Sequence, residues 1–499
     1  MLIVAVAFVL LIAQSCKKDL LEVTPQIPIS SVDNYFQNQN QAILAVNAVY
    51  TPLSAIYNGA AWHFGDIMSD DTDLGGGGGG DGLETADLDN FTLTSFNPIV
   101  NLMWAQCYFG ISRANLVETR VPTVPGITEA IKKRSMGEAH FLRALYYYHL
   151  VRLYGDVPLY TNVINVDEAS TISRSPKADV YLQIIKDLKL AETELPNTYA
   201  GEDKGRATAG AAKGLLAAVY LTLGDKVNAA LKSKEVIDNK ALYGYDLYAN
   251  YGDNFLLNNE NGRESVFEVQ YRSGGGQFSD FGAGQKLNTF FAPRLQGIVQ
   301  SGGYGWNVPT KSLADSYEKT GTNYSTIIDK RRQRSMWIPG DVEGSYTQPV
   351  QLVGSPLGLN VKKYYIPVAN TIADNGGWTS AQNVPIMRYS EILLIYAEAA
   401  GSTLGKSSID LVRGRASLLP LSNTLSPTQY LDAVYKERRI EFAFEMHRWY
   451  DLLRHPDSNY FITIMTAAGK TNISAKHRFL PIPQGERDKN RNLTQNTGY

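Results

Sequence analysis

Cysteine, histidine and net charge are all scarce in this chain of 499 residues. Two cysteines and six histidines leave little material for a metal site, and no metal cofactor is expected. The formal net charge is −2, so the composition lacks the basic excess from which nucleic-acid-binding faces are usually built. We therefore expect no nucleic-acid partner.

The apolar run at the start of the chain is too short to span a membrane comfortably. It covers Leu2 to Ala13, twelve residues, whereas a spanning helix needs about 20. Its length is typical of a signal peptide, which we assign to residues 1–15. Small residues then precede Cys16, which resembles a bacterial lipobox with a lipidated cysteine; an unlipidated secretory signal is the alternative. Residues 16–35 are polar and contain proline, which predicts an extended tether.

Recognisable catalytic motifs are absent from the sequence. There is no G-x-S-x-G motif and no Walker loop, and the glycine run 75–80 lacks the Lys-Ser/Thr of a phosphate loop. If Cys16 is lipidated, Cys107 is the only cysteine left; it lies in an apolar segment and is predicted to be a core residue. His140 and His149 fit no metal-ligand pattern. We therefore expect no enzymatic activity.

Three glutamates spaced four apart are the strongest sign of acid–base chemistry. They would line one helix face, but neighbouring arginines make ion pairing the simpler interpretation. A surface glycoside hydrolase is the enzymatic alternative, and it would need two carboxylates about 5–10 Å apart, for which no pair has sequence support. The glutamates are Glu437, Glu441 and Glu445, and the arginines are Arg438, Arg439 and Arg448.

Helical periodicity dominates residues 36–240 and 385–499. A long helix is predicted from the N-cap Thr128 to Tyr154, ended by Gly155. Two helix pairs follow the pattern of tetratricopeptide repeats, in which small residues let the helices approach closely. Predicted helices cover 101–119, 180–195, the pair 211–223 and 226–238, and the degenerate pair 391–400 and 408–418.

Residues 241–384 have little helical periodicity and are rich in Gly, Asn, Ser and Tyr. The alternation over 265–271 predicts a strand. Loops of this length are uncommon in compact domains unless they are functional. We therefore expect this region to carry the ligand face.

An acidic segment early in the chain is a candidate ligand-binding site. Asp70, Asp71 and Asp73 follow Trp62 closely. Carboxylates accept hydrogen bonds from sugar hydroxyls, and an indole offers a flat apolar surface. Structural Ca²⁺ binding is a second hypothesis, although the spacing is not that of an EF-hand, and a solvated acidic loop is the third.

Aromatic residues beside glycines in the middle region are the other ligand-binding candidates. An aromatic residue flanked by glycines is unlike a core position of a helix or strand, so we expect its ring to be exposed. Trp104 and Trp449 lie instead on amphipathic helices and are assigned to the core. The candidates are Tyr304, Trp306 and Trp378, which follow glycines, and Trp337, which lies before Pro339-Gly340.

Several stretches in order along the chain resemble the SusD/RagB family of nutrient-binding lipoproteins from Bacteroidetes. They begin at Ala139 (AHFLRALYYYHLVRLYGDVP), Ala212 (AKGLLAAVYLTLGD), Glu264 (ESVFEVQY), Met387 (MRYSEILLIYAEAA) and Glu437 (ERRIEFAFEMHRWYDLLR). The chain ends with FLPIPQGERDKNRNLTQNTGY, which is similar to the family's tail. The resemblance therefore covers nearly the whole chain.

This resemblance implies a mostly α-helical fold, a scaffold of four tetratricopeptide-like helix pairs with short strands in a loop-rich middle region. It also implies an outer-membrane lipoprotein that faces the cell exterior and is held by its lipid anchor alone. The expected partner is a SusC-like TonB-dependent transporter, to which the protein delivers nutrient oligosaccharide. A peptide ligand is the alternative within the family. In the family, the early loop and the middle loops meet at the ligand face.

Overall fold

A computed structural model describes residues 35–77, 80–272, 284–299, 302–367 and 379–499. The predicted signal peptide, Cys16 and Trp378 lie outside these ranges. Helices dominate, so the expected mostly α-helical fold is confirmed. The α-helices are α1 (Gln39–Gly59), α2 (Leu83–Asp89), α3 (Pro98–Arg120), α4 (Glu129–Tyr154), α5 (Val166–Ala169), α6 (Lys177–Glu194), α7 (Ala209–Thr222), α8 (Lys226–Asp238), α9 (Lys240–Tyr243), α10 (Leu287–Phe291), α11 (Lys311–Ser316), α12 (Arg332–Ser335), α13 (Tyr389–Leu404), α14 (Lys406–Arg415), α15 (Pro427–Glu441), α16 (Arg448–Leu453), α17 (Tyr460–Ala467) and α18 (Gln484–Lys489).

Short strands form separate antiparallel pairs between the helices. Strand β1 pairs with β3, β2 with β8, β4 with β7, and β5 with β6. The strand predicted over 265–271 is confirmed as β2 and ends two residues earlier than expected. The strands are β1 (Thr72–Gly75), β2 (Ser265–Val269), β3 (Trp306–Pro309), β4 (Met336–Trp337), β5 (Val342–Glu343), β6 (Tyr346–Thr347), β7 (Asn360–Val361) and β8 (Val384–Arg388).

Helix α4 begins and ends where its local sequence predicts. The Thr128 side chain accepts a hydrogen bond from the backbone N–H of Ile131, which caps the first turn. Gly155 follows the last turn with φ +72°, a conformation that costs glycine little. Residues 137–151 of this helix are all buried, so α4 is a central helix of the fold.

The long helices pack against one another in sequence order. Helix α4 lies against α3 and α6, α6 against α7, α7 against α8, and α8 against α13, which also contacts α14 and α15. This stacking of antiparallel pairs is the arrangement that tetratricopeptide-like sequences predict. The core residues assigned from sequence are confirmed as buried: Trp104, Cys107 and Trp449. Among the described helices, none is long and apolar enough to cross a membrane.

The three glutamates of the C-terminal part are buried in ion pairs, as expected, but their partners are not the arginines beside them. Glu437 binds Arg331 and Arg413, and Glu441 binds Arg388, Arg331 and Arg415. The prediction of one helix face was wrong for Glu445, because α15 ends at Glu441. Glu445 lies in the following turn, where it binds Lys363 and Arg388.

Candidate functional site

The early loop and the middle region meet through strands β1 and β3. These strands pair in antiparallel register, with Asp73 opposite Val308 and Gly75 opposite Trp306. Thr310 continues the contact, because its backbone N–H donates to the carbonyl of Asp71 at 2.8 Å. The meeting of the two loops that the family resemblance implied is therefore confirmed.

Three aromatic rings gather at this junction, and we call them the aromatic platform: Phe290, Tyr304 and Trp306. All three residues are half-buried, so part of each is accessible, although the indole nitrogen of Trp306 is buried. The ring centroids of Tyr304 and Trp306 are 4.9 Å apart, and that of Phe290 lies 5.1 Å from Trp306 and 5.8 Å from Tyr304. Centroids at these separations make offset or tilted contacts that hold the rings against one another.

Glycines fix the two rings that follow α10. The backbone N–H of Tyr304 donates to the carbonyl of Thr289, and that of Gly305 donates to the carbonyl of Ala292. A Cβ on Gly303 would lie 2.6 Å from the carbonyl oxygen of Pro293, so only glycine allows this approach. The segment in which Tyr304 and Trp306 alternate with glycines therefore packs closely against the end of α10, and this packing fixes the positions of both rings.

A charged pair borders the platform. Arg294 donates from Nη1 to the Oδ2 atom of Asp81 at 2.6 Å and to the carbonyl of Tyr304 at 3.1 Å. Asp81 also accepts from the backbone N–H of Gly77 at 2.8 Å. Both side chains are partly exposed, which leaves donor and acceptor capacity for a polar ligand beside the rings.

Trp62 does not lie on the surface, and its predicted exposure was wrong. It is 1% exposed, and its indole N–H donates to the carbonyl of Asn58. Its ring stacks behind Trp306 at a centroid distance of 6.2 Å and an interplanar angle of 21°. Phe290, Phe291 and Trp306, which are distant in sequence, cover its ring, so Trp62 supports the platform from below.

Trp337 was also wrongly predicted to be exposed. It is fully buried in a small cluster with Tyr346 and Tyr365, and the ammonium of Lys362 lies 3.8 Å from its ring centroid. The pairing of β4 with β7 places its ring in this cluster. The ring face is therefore occupied by protein.

Asp70 and Asp71 are buried in ion pairs, which corrects both the solvated-loop and the calcium hypotheses. Asp70 binds Arg448 at 2.7 Å and Arg439 at 2.8 Å, and Asp71 binds Arg439 at 2.5 Å. Their carboxylates face guanidinium groups, so they are not offered to a cation or a sugar. Within the described ranges, no three His, Cys, Asp or Glu side chains come together as a metal site.

Asp73 differs from its neighbours because it is exposed on β1. Its carboxylate accepts a hydrogen bond from Lys470 at 2.7 Å, and half of its side chain remains accessible. It stays a predicted ligand-binding residue, as do Tyr304 and Trp306. The structure brings Asp73 and Trp306 onto paired strands.

Phe290, Arg294 and Asp81 belong to the candidate site but were not predicted from the sequence. Phe290 lies in the five-residue helix α10, too short to show a periodicity. Arg294 and Asp81 are 213 residues apart, so no local pattern joins them. The glycines around Tyr304 were the one usable signal.

Two family models match the chain. The SusD family model matches residues 263–499, and a model described as starch-binding associating with outer membrane matches residues 79–221. SusD-like protein P2 of Formosa agariphila is 32% identical over 433 residues, 83% of this chain and 83% of that protein. The chain belongs to the SusD family.

Solved structures agree with this SusD-family assignment. A laminarin binding SusD-like protein aligns with TM-score 0.81 and 28% identity, covering 93% of this chain and all of that one. Surface glycan-binding protein A from Bacteroides thetaiotaomicron in complex with laminarihexaose aligns with TM-score 0.78 and 26% identity, covering 92% and 100%. The family resemblance found in the sequence is thus confirmed.

Proposed function

We propose that this protein binds an oligosaccharide on the aromatic platform and does not hydrolyse it. The observation that carries the proposal is the set of three half-buried aromatic residues whose rings hold one another in position. The apolar C–H face of a sugar ring stacks on such surfaces, and a fixed ring loses little conformational entropy on binding. Arg294 and Asp81 supply a donor and an acceptor for the hydroxyls.

The SusD-family relatives support a glycan rather than another ligand. One structural relative is named for laminarin, another is in complex with laminarihexaose, and a more distant relative, starch-binding protein SusD of Bacteroides thetaiotaomicron, is 22% identical over 468 residues, 83% of this chain and 82% of that protein. A peptide is the alternative ligand. A peptide is usually held through its backbone, so it would depend less on the platform rings.

Calorimetry on soluble protein that starts after Cys16 tests the proposal. Laminarihexaose, starch oligosaccharides and a peptide panel are titrated, and Trp306→Ala is expected to weaken glycan binding by about tenfold or more, because it removes a stacking face. Phe109→Ala is the matched control, since Phe109 is 52% exposed on α3 and away from the platform. Equal loss in both variants, or none in Trp306→Ala, would exclude the platform.

The same titrations test the absence of catalysis. Each glycan is recovered after prolonged incubation and its chain length is measured by chromatography. Shortened products at a rate that scales with protein concentration would contradict the proposal. Unchanged chain length is the expected result.

We further propose that a lipid on Cys16 holds the protein at the outer membrane, facing the exterior, where it passes its ligand to a SusC-like TonB-dependent transporter. The family model described as associating with outer membrane supports this location. Cys16→Ser is expected to release the protein into the soluble fraction, as measured by cell fractionation. Membrane association that survives this change would rule out the anchor. Co-purification with a TonB-dependent barrel tests the partnership.

A further inference from the structure

A cavity separate from the platform lies where the C-terminal end of α4 meets the N-terminal end of α6. Its volume is about 300 Å³. Helices α7 and α16 and the turn at Arg478 complete its walls. The lining residues that matter below are Arg152, Lys177, Tyr181, Arg454, Arg478 and Phe479.

The lining of this cavity is strongly cationic. Four of its described lining residues are basic and none is acidic: Arg152, Lys177, Arg454 and Arg478. Arg454 is neutralised from outside the cavity by Glu398 and Asp451. The other three have no carboxylate partner within salt-bridge distance among the described residues. Arg152 and Arg478 are half-buried, and holding cations there without anions is unfavourable, so the cavity is suited to an incoming negative charge.

Arg152 shows most clearly that a counter-charge is missing. Its guanidinium lies between the rings of Tyr148 and Tyr450, 3.8 and 3.9 Å from their centroids. It donates to the carbonyl of Tyr148 and contacts Nδ1 of His149. Burial lowers the pKa of His149 to about 3, so this histidine is neutral and adds no charge. The rings therefore hold Arg152 in place without compensating its charge.

Arg478 provides a donor without an acceptor. Its Nη1 atom is buried and has no hydrogen-bond partner in the described part of the chain. Lys177 lies across the cavity at the first turn of α6, with its ammonium 5.4 Å from the ring centroid of Phe479. The N-terminus of α6 is itself capped, because the backbone N–H of Lys177 donates to the carboxylate of Asp156 at 2.8 Å, so only the Lys177 side chain is offered to the cavity.

We propose that this cavity binds a small oxyanion, a sulfate, phosphate or carboxylate group, either free or carried on a sugar ring. Guanidinium groups match such oxygens in geometry and charge. The volume exceeds that of a single oxyanion and lies at the lower end of small-molecule sites, and the rings of Tyr181 and Phe479 provide apolar walls for a sugar.

The test is calorimetry at low ionic strength on the soluble full chain. Sodium sulfate, sodium phosphate, glucuronic acid and glucose 6-sulfate are titrated, with glucose as the neutral comparison. Lys177→Gln and Arg478→Gln are each expected to weaken anion binding about tenfold, because each removes a charge-assisted hydrogen bond. Lys177 is exposed at a helix end, so its replacement leaves folding unaffected. Lys436→Gln is the control, since it removes one exposed charge elsewhere.

Sulfate binding as tight as that of glucose 6-sulfate identifies a free-anion site, whereas tighter binding of the charged sugars identifies a site for a charged sugar residue. Absence of binding by every anion overturns the proposal, and so does binding that neither Lys177→Gln nor Arg478→Gln weakens. Laminarihexaose binding, measured in the same variants, is expected to be unchanged. The proposed anion site and the proposed glycan site on the aromatic platform are therefore tested independently.

Discussion

At the scale of single residues, the acidic segment shows how the same side chain meets different surroundings. Burial acts to raise the pKa of Asp70, but the charges of Arg448 and Arg439 outweigh it and lower that pKa. Asp66 has no such partner. Burial raises its pKa to about 7, although Asn307 and the backbone N–H of Met446 donate to it.

The surroundings of Asp66 suit a neutral group. The Oδ1 atom of Asn307 is buried without a hydrogen-bond partner among the described residues, while its Nδ2 donates to Asp66 at 3.1 Å. A flipped Asn307 amide would accept from a protonated Asp66 or from an asparagine in its place. The aspartate is therefore not required by the fold.

We expect Asp66→Asn to change the free energy of unfolding by no more than about 1 kcal/mol at pH 5, where the aspartate is mostly protonated. The folded pKa lies above the unfolded value of 3.8, so the wild-type stability from this group is lost as pH rises through about 7. At pH 8 the variant should be more stable than wild type by on the order of 1–3 kcal/mol. Urea unfolding at both pH values measures this.

Asp70→Asn is the matched comparison, since it leaves Arg448 with an incomplete partner. We expect it to destabilise the protein by about 3 kcal/mol at pH 8. If the two variants behave alike at pH 8, the difference in surroundings has no energetic effect. The sequence places both aspartates in one acidic run, and it does not distinguish them because the arginines lie more than 360 residues away.

At the scale of elements, local signals determined what could be predicted. The cap residues Thr128 and Gly155 fix the ends of α4, and both are adjacent to the helix in sequence. Strands β1 and β3 are separated by more than 200 residues, and neither strand has a sequence pattern from which the pairing could be predicted. The exposure of Trp62 and Trp337 was predicted wrongly for the same reason, since distant elements bury them.

Close helix packing gives a prediction at this scale. Gly110 on α3 lies against Tyr146 on α4, and a Cβ there would be 2.1 Å from the Tyr146 ring. Gly110→Ala is expected to destabilise the protein by about 1–3 kcal/mol, because the helices must move apart. Gly414→Ala in α14 is the control, since a Cβ there meets nothing within 4 Å.

For Gly414→Ala we expect stabilisation of about 0.5–1 kcal/mol, from the lower entropy of the unfolded chain. The same chemical change should thus have opposite signs in two helices. Denaturant unfolding of the three proteins measures both effects. Destabilisation of similar size in both variants would show that helix separation is not the cause.

At the scale of the whole molecule, buried charges join segments that are distant in sequence. Arg388 at the end of β8 binds Glu264, Glu441 and Glu445, and Arg415 at the end of α14 binds Glu264 and Glu441. Asp70 and its arginines join the start of β1 to α15 and α16. The platform therefore rests on a strand that is anchored to the C-terminal helices.

Glu441 is the centre of this network, and its replacement tests how much the network contributes. Burial acts to raise its pKa, but Arg415, Arg388 and Arg331 outweigh burial and lower it. A folded pKa below the unfolded value of 4.5 means that the stability is present above about pH 4.5 and is lost as pH falls further. Glu441→Gln should therefore destabilise the protein most at neutral pH, by about 3–5 kcal/mol, because it leaves buried arginines undercompensated.

The difference between wild type and Glu441→Gln should shrink as pH falls below 4.5, since the unfolded wild-type chain then binds a proton that folding must remove. Denaturant unfolding at pH 7, 5 and 3.5 follows this. Glu129→Gln is the control; its side chain is 86% exposed, and we expect a change below about 0.5 kcal/mol at every pH. A difference for Glu441→Gln that stays constant from pH 7 to pH 3.5 would mean that lost packing, and not lost charge, destabilises the variant.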